Sequence, residues 1–190
     1  MVECLHRVPV EPGTTLLIEG GLPHAIGSGC FLVEIQEPTD YTIRVERTTP
    51  EGKSIADAMC HQGIGFDRIF DCFHYDGYTL EETLRRWRVP PTILEQGEGF
   101  RVTVLVGSKD TDKFRLQQLE IGRKMECRSD GIFSTLIVLS GSGRIIGPGG
   151  STPIRQSNTL FLPAGLAEFT IESDPGQTLR IIRCFAPENK

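Results

Sequence analysis

Four side chains in the first quarter of the sequence have the types needed for catalysis or metal binding: His24, Glu34, Asp40 and Arg44. An imidazole just inside a small β-barrel could bind a metal ion. A carboxylate flanked by apolar residues could transfer a proton, because burial raises the pKa of a carboxyl group. A guanidinium could stabilise a developing oxyanion or hold a phosphate group.

Each of these residues also has an ordinary structural explanation. A lone histidine after a glycine turn, such as His24, is more often a hydrogen-bonded structural residue than a metal ligand. Glu34 has an apolar residue on either side, and this pattern alone favours neither the solvent-facing nor the inward-facing orientation. An arginine in an alternating strand, such as Arg44, is usually exposed, and Asp40 has the position of a turn residue.

The surrounding sequence favours the functional explanation. The three relevant stretches are Gly20-Gly21-Leu22-Pro23-His24-Ala25-Ile26-Gly27, Leu32-Val33-Glu34-Ile35-Gln36 and Thr39-Asp40-Tyr41-Thr42-Ile43-Arg44. Their succession resembles the signature of the type I mannose-6-phosphate isomerases, which belong to the cupin superfamily. In that family a Pro-His-Ala histidine follows a glycine turn, a glutamate strand comes next, and an aspartate and an arginine follow. The specific motif matches are confined to residues 7–47, and the rest of the chain resembles the C-terminal part of the family in architecture.

The resemblance implies a role for each of the four residues. His24 would be one zinc ligand of the family's first cupin, and Glu34 would face the barrel interior near the metal. Arg44 would stabilise the enediolate or hold the substrate phosphate, and Asp40 would orient Arg44. The implied activity is the interconversion of mannose 6-phosphate and fructose 6-phosphate, with zinc polarising the oxygens at the first two carbons.

The segment before His24 does not supply the family's other metal ligands. That family takes a glutamine, a histidine and a glutamate from strands upstream of the glycine-turn histidine, and no Gln-x-His pattern precedes His24 in this sequence. We therefore expect either part of a longer isomerase or a relative that has lost catalysis. An incomplete barrel would also expose sheet edges, which favours pairing with another chain, a second copy included.

Short apolar runs separated by glycine and proline turns predict a mainly β protein. With the resemblance, they predict the double-stranded β-helix, or jelly roll, of a cupin. We expect the back half of a metal-binding cupin in residues 1–50, a helical connector in 51–95 and a complete cupin in 96–190. The predicted strands are Thr14–Ile18, Cys30–Ile35, Tyr41–Val45, Phe100–Val106, Phe114–Glu120, Phe133–Ser140, Gly143–Ile146, Thr159–Leu162, Ala167–Glu172 and Thr178–Phe185.

Two helices are predicted in the connector. Ser54 could cap a helix that begins in the stretch Ser54–Met59. Thr79 and Glu82 have the spacing of a capping box, and Leu84 and Trp87 lie on one helical face, which predicts a helix from Leu80 to Arg88 that stops before the prolines at 90 and 91.

The C-terminal cupin is predicted to lack a metal site. By the general cupin pattern, Arg128 and Asp130 stand in the histidine positions, Ser134 or Thr135 in the glutamate position, and Glu168 in the late histidine position. One or two acids do not form a convincing metal site. This half is expected to be structural.

Composition excludes several classes of protein. The 190 residues carry a formal net charge of −5, which argues against nucleic-acid binding. No apolar run approaches the roughly 20 residues that a membrane-spanning helix needs. The N-terminus lacks a signal-peptide pattern, and the six cysteines form no Cys-x-x-Cys pair. Four of them, Cys30, Cys60, Cys72 and Cys184, lie in apolar or mixed surroundings, so we predict reduced, buried thiols in a cytoplasmic protein.

Three functional hypotheses follow from the sequence. The first is a zinc-dependent sugar-phosphate isomerase whose C-terminal portion this chain represents. The second is a non-catalytic bicupin that binds a sugar phosphate or a protein partner. The third is another cupin enzyme, such as a dioxygenase or an epimerase, which would need two to four metal ligands within one barrel that this chain does not supply.

Overall fold

The computed structural model describes residues 4–37, 41–49, 51–129 and 131–187. Within these residues the helices are α1 (Asp57–His61), α2 (Phe66–Ile69), followed by the 3-10 turn Phe70–Cys72, and α3 (Leu80–Trp87). The strands are β1 (Thr92–Gly97), β2 (Phe100–Val106), β3 (Arg115–Ile121), β4 (Lys124–Arg128), β5 (Ser134–Ser140), β6 (Ser142–Gly147), β7 (Gly150–Arg155), β8 (Thr159–Leu162), β9 (Glu168–Ser173) and β10 (Leu179–Phe185). In the described part of the chain, no helix is both long and apolar enough to cross a membrane.

The chain divides into two compact units. Unit 1 comprises Met1–Pro12 and Ile18–Trp87, and unit 2 comprises Gly13–Leu17 and Arg88–Lys190. The three α-helices lie in unit 1, and the ten strands lie in unit 2. The finer division at residues 50 and 95 that the sequence suggests stays a prediction.

Unit 2 has the jelly-roll topology that the sequence predicted. Its sheets have the strand orders β1-β2-β3-β10-β5-β8 and β4-β9-β6-β7. In the eight strands from β3 to β10, the first pairs with the last, the second with the seventh, the third with the sixth and the fourth with the fifth, all antiparallel. This nested pairing folds a long hairpin into two sheets, which is the double-stranded β-helix of cupins.

The core of unit 2 lies between the two sheets. In β4 and β9 buried and exposed residues alternate, so that the apolar side chains share one face of each strand. Leu119, Leu136, Ile171 and Ile181 are completely buried in this core. Gly143 is required where β6 meets β9, because a Cβ at this position would lie only 2.1 Å from the carbonyl oxygen of Glu172.

The strands predicted in the first 50 residues are not present in the described part of that segment. Thr14–Ile18, Cys30–Ile35 and Tyr41–Val45 are irregular, and the β contacts there are isolated bridges at Leu16 and Thr48. A strand needs a series of hydrogen bonds to a neighbour, and among the described residues these runs have no pairing longer than the single bridge between Leu16 and Arg88. Short apolar runs were therefore insufficient evidence for strands in the first 50 residues.

The helix predictions had mixed outcomes. The capping box is formed as predicted, because Thr79 accepts the Glu82 backbone N–H at 3.2 Å and its own N–H donates to the Glu82 carboxylate at 2.8 Å. The helix that it caps ends at Trp87, one residue before the predicted end at Arg88, and so before the prolines at 90 and 91. The Ser54 prediction was wrong: α1 begins at Asp57, and its N-cap residue Ala56 has no side chain that can cap.

Candidate functional site

His24 is exposed in unit 1, directly after a fixed turn. Its Nδ1 lies 2.9 Å from the carbonyl oxygen of Leu22, so Nδ1 donates and Nε2 keeps a lone pair in the neutral ring. The turn is restrained at Gly21, whose φ is +83° and whose carbonyl oxygen accepts the His74 N–H at 2.9 Å. A Cβ at Gly21 would also lie 3.0 Å from the His74 ring. The sequence therefore orients His24 so that one ring nitrogen could bind a metal.

Glu34 faces away from its apolar neighbours. Its side chain is exposed, whereas Val33 and Ile35 are half-buried. The sequence predicted by resemblance that this carboxylate faces a barrel interior. Because the structure describes no strand paired with residues 30–36, there is no barrel interior for Glu34 to face within the described residues.

Arg44 is held against α1 by main-chain and side-chain hydrogen bonds. Its backbone N–H donates to the Cys60 carbonyl oxygen at 2.9 Å, and its Nη1 donates to the Met59 carbonyl oxygen at 3.1 Å. The side chain is nevertheless exposed, so an anion in solution can reach the guanidinium. Asp40, the predicted partner of Arg44, lies outside the described residues.

The structure does not join the predicted residues into one centre. Among the described residues no hydrogen bond links His24, Glu34 and Arg44, and no group of three or more His, Cys, Asp or Glu side chains could hold a metal ion. Protein zinc sites use three or four protein ligands. The described residues of this chain therefore do not fit a zinc ion by themselves, and His24 is a single candidate donor.

Large apolar side chains in unit 1 are exposed close in sequence to these residues. Phe31 and Tyr41 have 86% and 85% of their surface accessible, and Val10, Ile26 and Leu32 are also exposed. Large exposed apolar side chains mark an interface where they form one patch. These five residues are therefore candidates for contact with another chain.

The interior of unit 2 contains a buried arginine that sequence reasoning missed. Arg183 is 5% exposed, its Nε donates to Ser134 Oγ at 3.0 Å, and its Nη2 donates to the Arg128 carbonyl oxygen at 3.1 Å. Its guanidinium also lies 5.5 Å from the Phe169 ring centroid and 4.6 Å from that of Phe185. A charged residue within the apolar run of β10 was the available signal.

The charge of Arg183 affects whether the interior of unit 2 could bind a metal ion. Arg183 is always charged, so it disfavours a cation nearby. Of the predicted ligand positions, Ser134 is bonded to Arg183, and Glu168 forms an exposed ion pair with Arg128 at 3.4 Å. Asp130 lies outside the described residues. The described residues of unit 2 thus form a packed interior with no cluster of metal ligands.

Two cavities in unit 2 have none of the predicted site residues in their lining. They measure about 310 and 270 Å³, and both are lined by the outer side of β2 and β3, including Arg101 and Glu120. These two side chains are paired with each other by hydrogen bonds from the guanidinium to the carboxylate. The cavities therefore do not coincide with His24, Glu34 or Arg44.

Sequence comparison identifies relatives over almost the whole chain. Mannose-6-phosphate isomerase ManA of Bacillus subtilis (strain 168) is 25% identical over 173 residues, which cover 90% of this chain and 49% of that protein. The probable mannose-6-phosphate isomerase GmuF of the same organism is 27% identical over 175 residues, covering 88% of this chain and 49% of that protein. The chain thus spans about half the length of these curated relatives. No family model matches the sequence.

Structure comparison supports the fold. The crystal structure of the mannose 6-phosphate isomerase from Bacillus subtilis superposes with a TM-score of 0.51 over 74% of this chain and 38% of that chain, at 20% sequence identity. The nested strand pairing of unit 2 and this superposition agree on the jelly roll. The chain therefore resembles the mannose-6-phosphate isomerases in sequence over most of its length, and its strand-bearing unit has the cupin fold.

Proposed function

We propose that this chain is part of an aldose–ketose isomerase that interconverts mannose 6-phosphate and fructose 6-phosphate. The observation that supports this proposal is the similarity to ManA, which extends over 90% of the chain and includes both units. The fold agrees with the similarity, since unit 2 is a cupin. The signature stretches around His24, Glu34 and Arg44 lie in unit 1.

The reaction moves one proton between two neighbouring carbons through an enediol, and this chain would supply groups for that step. Glu34 is the proposed base, because a carboxylate within reach of the carbon-bound proton can accept and return it. Arg44 is the proposed anion-binding group, because an always-charged guanidinium stabilises the enediolate or holds the phosphate. Asp40 is proposed to orient Arg44.

Zinc is the proposed cofactor, with His24 as one ligand. When bound, the ion would supply Lewis-acid polarisation of the substrate oxygens. Because the described residues offer no group of three donors, the remaining ligands would come from the half of the relatives that this chain does not match. The orientation of His24 supports its role, since Nδ1 is engaged with Leu22 and Nε2 is left to coordinate.

The half of the relatives that this chain does not match is also the proposed partner of the exposed apolar residues in unit 1. The irregular runs around Phe31 and Tyr41 are rich in apolar residues but have no paired strand within the described part of the chain. Strands from a complementary polypeptide would pair with the backbone and cover these side chains. Pairing of this surface with a second copy of the chain is the competing arrangement.

The experiment compares the chain alone with the chain co-purified with the remaining half of Bacillus subtilis ManA. We expect the assembly to hold about one zinc ion and to isomerise mannose 6-phosphate, because two halves would complete the ligand set. His24→Ala should remove both zinc and activity. His6→Ala is the matched control, since His6 is also exposed and its Nε2 bonds the Tyr78 carbonyl oxygen at 2.6 Å.

The alternative function is a sugar-phosphate-binding module without catalysis. The absence of a metal-ligand cluster among the described residues favours this alternative for the chain by itself. Isothermal titration of the metal-free chain with mannose 6-phosphate tests it. Binding that Arg44→Met abolishes, with no turnover in any assembly, would replace the isomerase proposal with the binding-module proposal.

A further inference from the structure

The segment that carries Arg44, residues 42–46, contacts α1 or the residue after it at every second position. The Gln62 side-chain amide donates to the Thr42 carbonyl oxygen at 3.4 Å, and the Arg44 N–H donates to the Cys60 carbonyl oxygen at 2.9 Å. The Cys60 thiol, which is completely buried, lies 3.7 Å from the Glu46 carbonyl oxygen. Every second residue from 42 to 46 therefore contacts the C-terminal part of α1 or the residue that follows it.

The end of this segment is fastened by a tight turn. The Ile55 N–H donates to the Arg47 carbonyl oxygen at 2.9 Å, and the Thr49 N–H donates to the Lys53 carbonyl oxygen at 2.8 Å. Residues 47–49 therefore run antiparallel to residues 53–55, which lead directly into α1. The main chain on both sides of Arg44 is thus fixed to one short helix.

Arg47 has a separate set of contacts at the other end of α1. Its Nη2 lies 2.6 Å from Asp57 Oδ1, and its guanidinium carbon lies 4.7 Å from the Phe66 ring centroid. Asp57 is the first residue of α1, whereas the carbonyl oxygen that accepts from the Arg44 side chain belongs to Met59, the middle residue of this five-residue helix. The two neighbouring guanidinium groups are therefore directed to different parts of the helix.

We propose that Asp57 and Phe66 are positioning residues that keep Arg47 away from the substrate, so that Arg44 alone presents its guanidinium to the anion. This inference rests on the proposed function, in which Arg44 binds the enediolate or the phosphate. The carboxylate offsets part of the attraction of the Arg47 guanidinium for a second anion, and the contact with the Phe66 ring restricts where this guanidinium can lie. The Arg44 side chain donates to a neutral acceptor, the Met59 carbonyl oxygen, and so keeps its full charge for a ligand.

This arrangement predicts what the loss of Asp57 does. In Asp57→Asn the carboxylate that holds Arg47 is gone, so Arg47 becomes a second, mobile cation three residues from Arg44. The substrate anion could then bind Arg47 in a shifted pose, and a displacement of about 1 Å can lower turnover roughly a hundredfold. The exposed ion pair contributes little to folding, so the melting temperature should hardly change.

The first measurement uses the metal-free chain, so that it does not depend on activity. Phenylglyoxal modifies arginines, and mass spectrometry of peptides gives the rate at each site, with and without inorganic phosphate. In the wild type we expect phosphate to slow modification of Arg44 and to leave Arg47 unaffected. In Asp57→Asn, Arg47 should be modified faster and should become protected by phosphate, while the protection of Arg44 weakens.

Two variants make this test specific. Asp57→Glu keeps the charge and should restore the wild-type pattern. Glu98→Gln is the matched control, since Glu98 forms a comparably exposed ion pair with Arg123 at 2.7 Å in unit 2. If phosphate protects Arg44 equally in the wild type and in Asp57→Asn, the positioning role is wrong.

The second measurement uses the isomerase assembly and separates this inference from the proposed function. We expect Asp57→Asn to lower kcat roughly ten- to a hundredfold with KM within about twofold, and Asp57→Glu to recover it. Loss of activity in Arg44→Met with full kcat in Asp57→Asn would overturn the positioning role and leave the isomerase intact. An inactive wild-type assembly, with Arg44 protection still dependent on Asp57, would overturn the isomerase and leave the positioning role intact.

Discussion

Similar apolar sequences are buried in unit 2 and exposed in unit 1. In unit 2 the strand residues pair in register, and Leu119, Leu136 and Ile181 are completely buried. In unit 1 the apolar run around Phe31 and the alternating run around Tyr41 were predicted as strands in the same way, yet both aromatic side chains are almost fully exposed. The difference shows that alternation creates an apolar face, whereas a neighbouring strand is needed to bury it.

The candidate site residues and the main hydrophobic core lie in different units. The residues whose types suit catalysis, His24, Glu34 and Arg44, belong to unit 1, where regular structure is limited to short helices in the described residues. Unit 2 has the extensive core and an interior occupied by Arg183. We infer that unit 2 supplies most of the folding free energy, and each prediction below tests that contrast.

The largest contrast is expected in thiol reactivity. Burial raises the pKa of Cys127 from about 9 to about 11, with the Arg183 charge opposing and Glu95 adding to the rise. At pH 8 this shift leaves about a hundredfold less thiolate, and the thiol is also inaccessible. Iodoacetamide should therefore modify the exposed Cys30 of unit 1 at least a hundredfold faster than Cys127. Equal rates in the native protein, rather than only in urea, would contradict the description of unit 2 as the stable part.

The same shift gives a dependence of stability on pH. The folded-state pKa of Cys127 lies above the unfolded value, so the unfolded chain loses its proton first as the pH rises. The preference of the folded state for the neutral Cys127 thiol therefore stabilises the protein fully below about pH 9, and this stabilisation is lost progressively between about pH 9 and 11. The free energy of unfolding, measured by urea titration, should decline less between pH 9 and 11 in Cys127→Ala than in the wild type.

The next largest effect concerns the core. Leu119→Ala should lower the free energy of unfolding by about 2–5 kcal/mol, because it removes buried methyl groups and leaves a cavity. Leu32→Ala makes the same chemical change in unit 1, where Leu32 is 45% exposed, and should cost less than about 0.5 kcal/mol. Urea titration followed by circular dichroism measures both. Comparable losses would show that Leu32 is buried in solution, for example against another chain.

The buried arginine is expected to have a smaller effect. Arg183→Met should lower the free energy of unfolding by about 1–3 kcal/mol, because the Arg128 carbonyl and the Ser134 hydroxyl lose their donor inside unit 2. Arg144→Met is the control, since the Arg144–Glu172 pair at 2.9 Å is solvent-accessible and should contribute less than about 1 kcal/mol. If the Arg183 variant is as stable as the wild type, the guanidinium is replaceable by an apolar side chain there.

How far the sequence predicted the fold can be judged from particular elements. The bounds of β2 and β8 were predicted correctly, because each is an apolar run between clear turns. β1, β4 and β7 were missed: β1 follows two prolines, β4 is mostly charged, and β7 contains Pro153. Edge strands tolerate charge and proline because one side of their backbone needs no partner, and this position in the sheet is not encoded locally.

For the candidate site, the sequence indicated candidate residues but not their surroundings. The motif stretches pointed to His24, Glu34 and Arg44, but their exposure depends on which strands lie beside them. The cysteines show the same limit, since Cys30 and Cys72 were predicted to be buried and are exposed, whereas Cys60 is buried. Burial depends on tertiary neighbours that a run of apolar residues does not specify.

The smallest effect is expected at the N-terminus of α3, the longest helix that the structure describes in unit 1. Thr79→Ala removes the hydroxyl that accepts the Glu82 N–H, and loss of an N-cap hydroxyl costs about 1 kcal/mol. Thr79→Ser keeps the hydroxyl and should be nearly neutral. Hydrogen exchange of the amides in residues 80–87 should quicken in Thr79→Ala while exchange in β3 and β10 stays unchanged. Faster exchange in β3 as well would mean that the two units unfold together.

The pH dependence of this cap sharpens the same test. Hydrogen bonds from the Thr79 backbone and hydroxyl lower the pKa of the Glu82 carboxyl, so the folded helix favours the ionised form. The ionised Glu82 carboxylate therefore stabilises the helix at pH values above the ordinary glutamate pKa, and this stabilisation is lost as the pH falls through the lowered pKa. The exchange difference between Thr79→Ala and the wild type should shrink on acidification. A difference that does not change with pH would assign the effect of Thr79→Ala to the bond from the Glu82 N–H to the hydroxyl, and not to the bond from the hydroxyl to the Glu82 carboxylate.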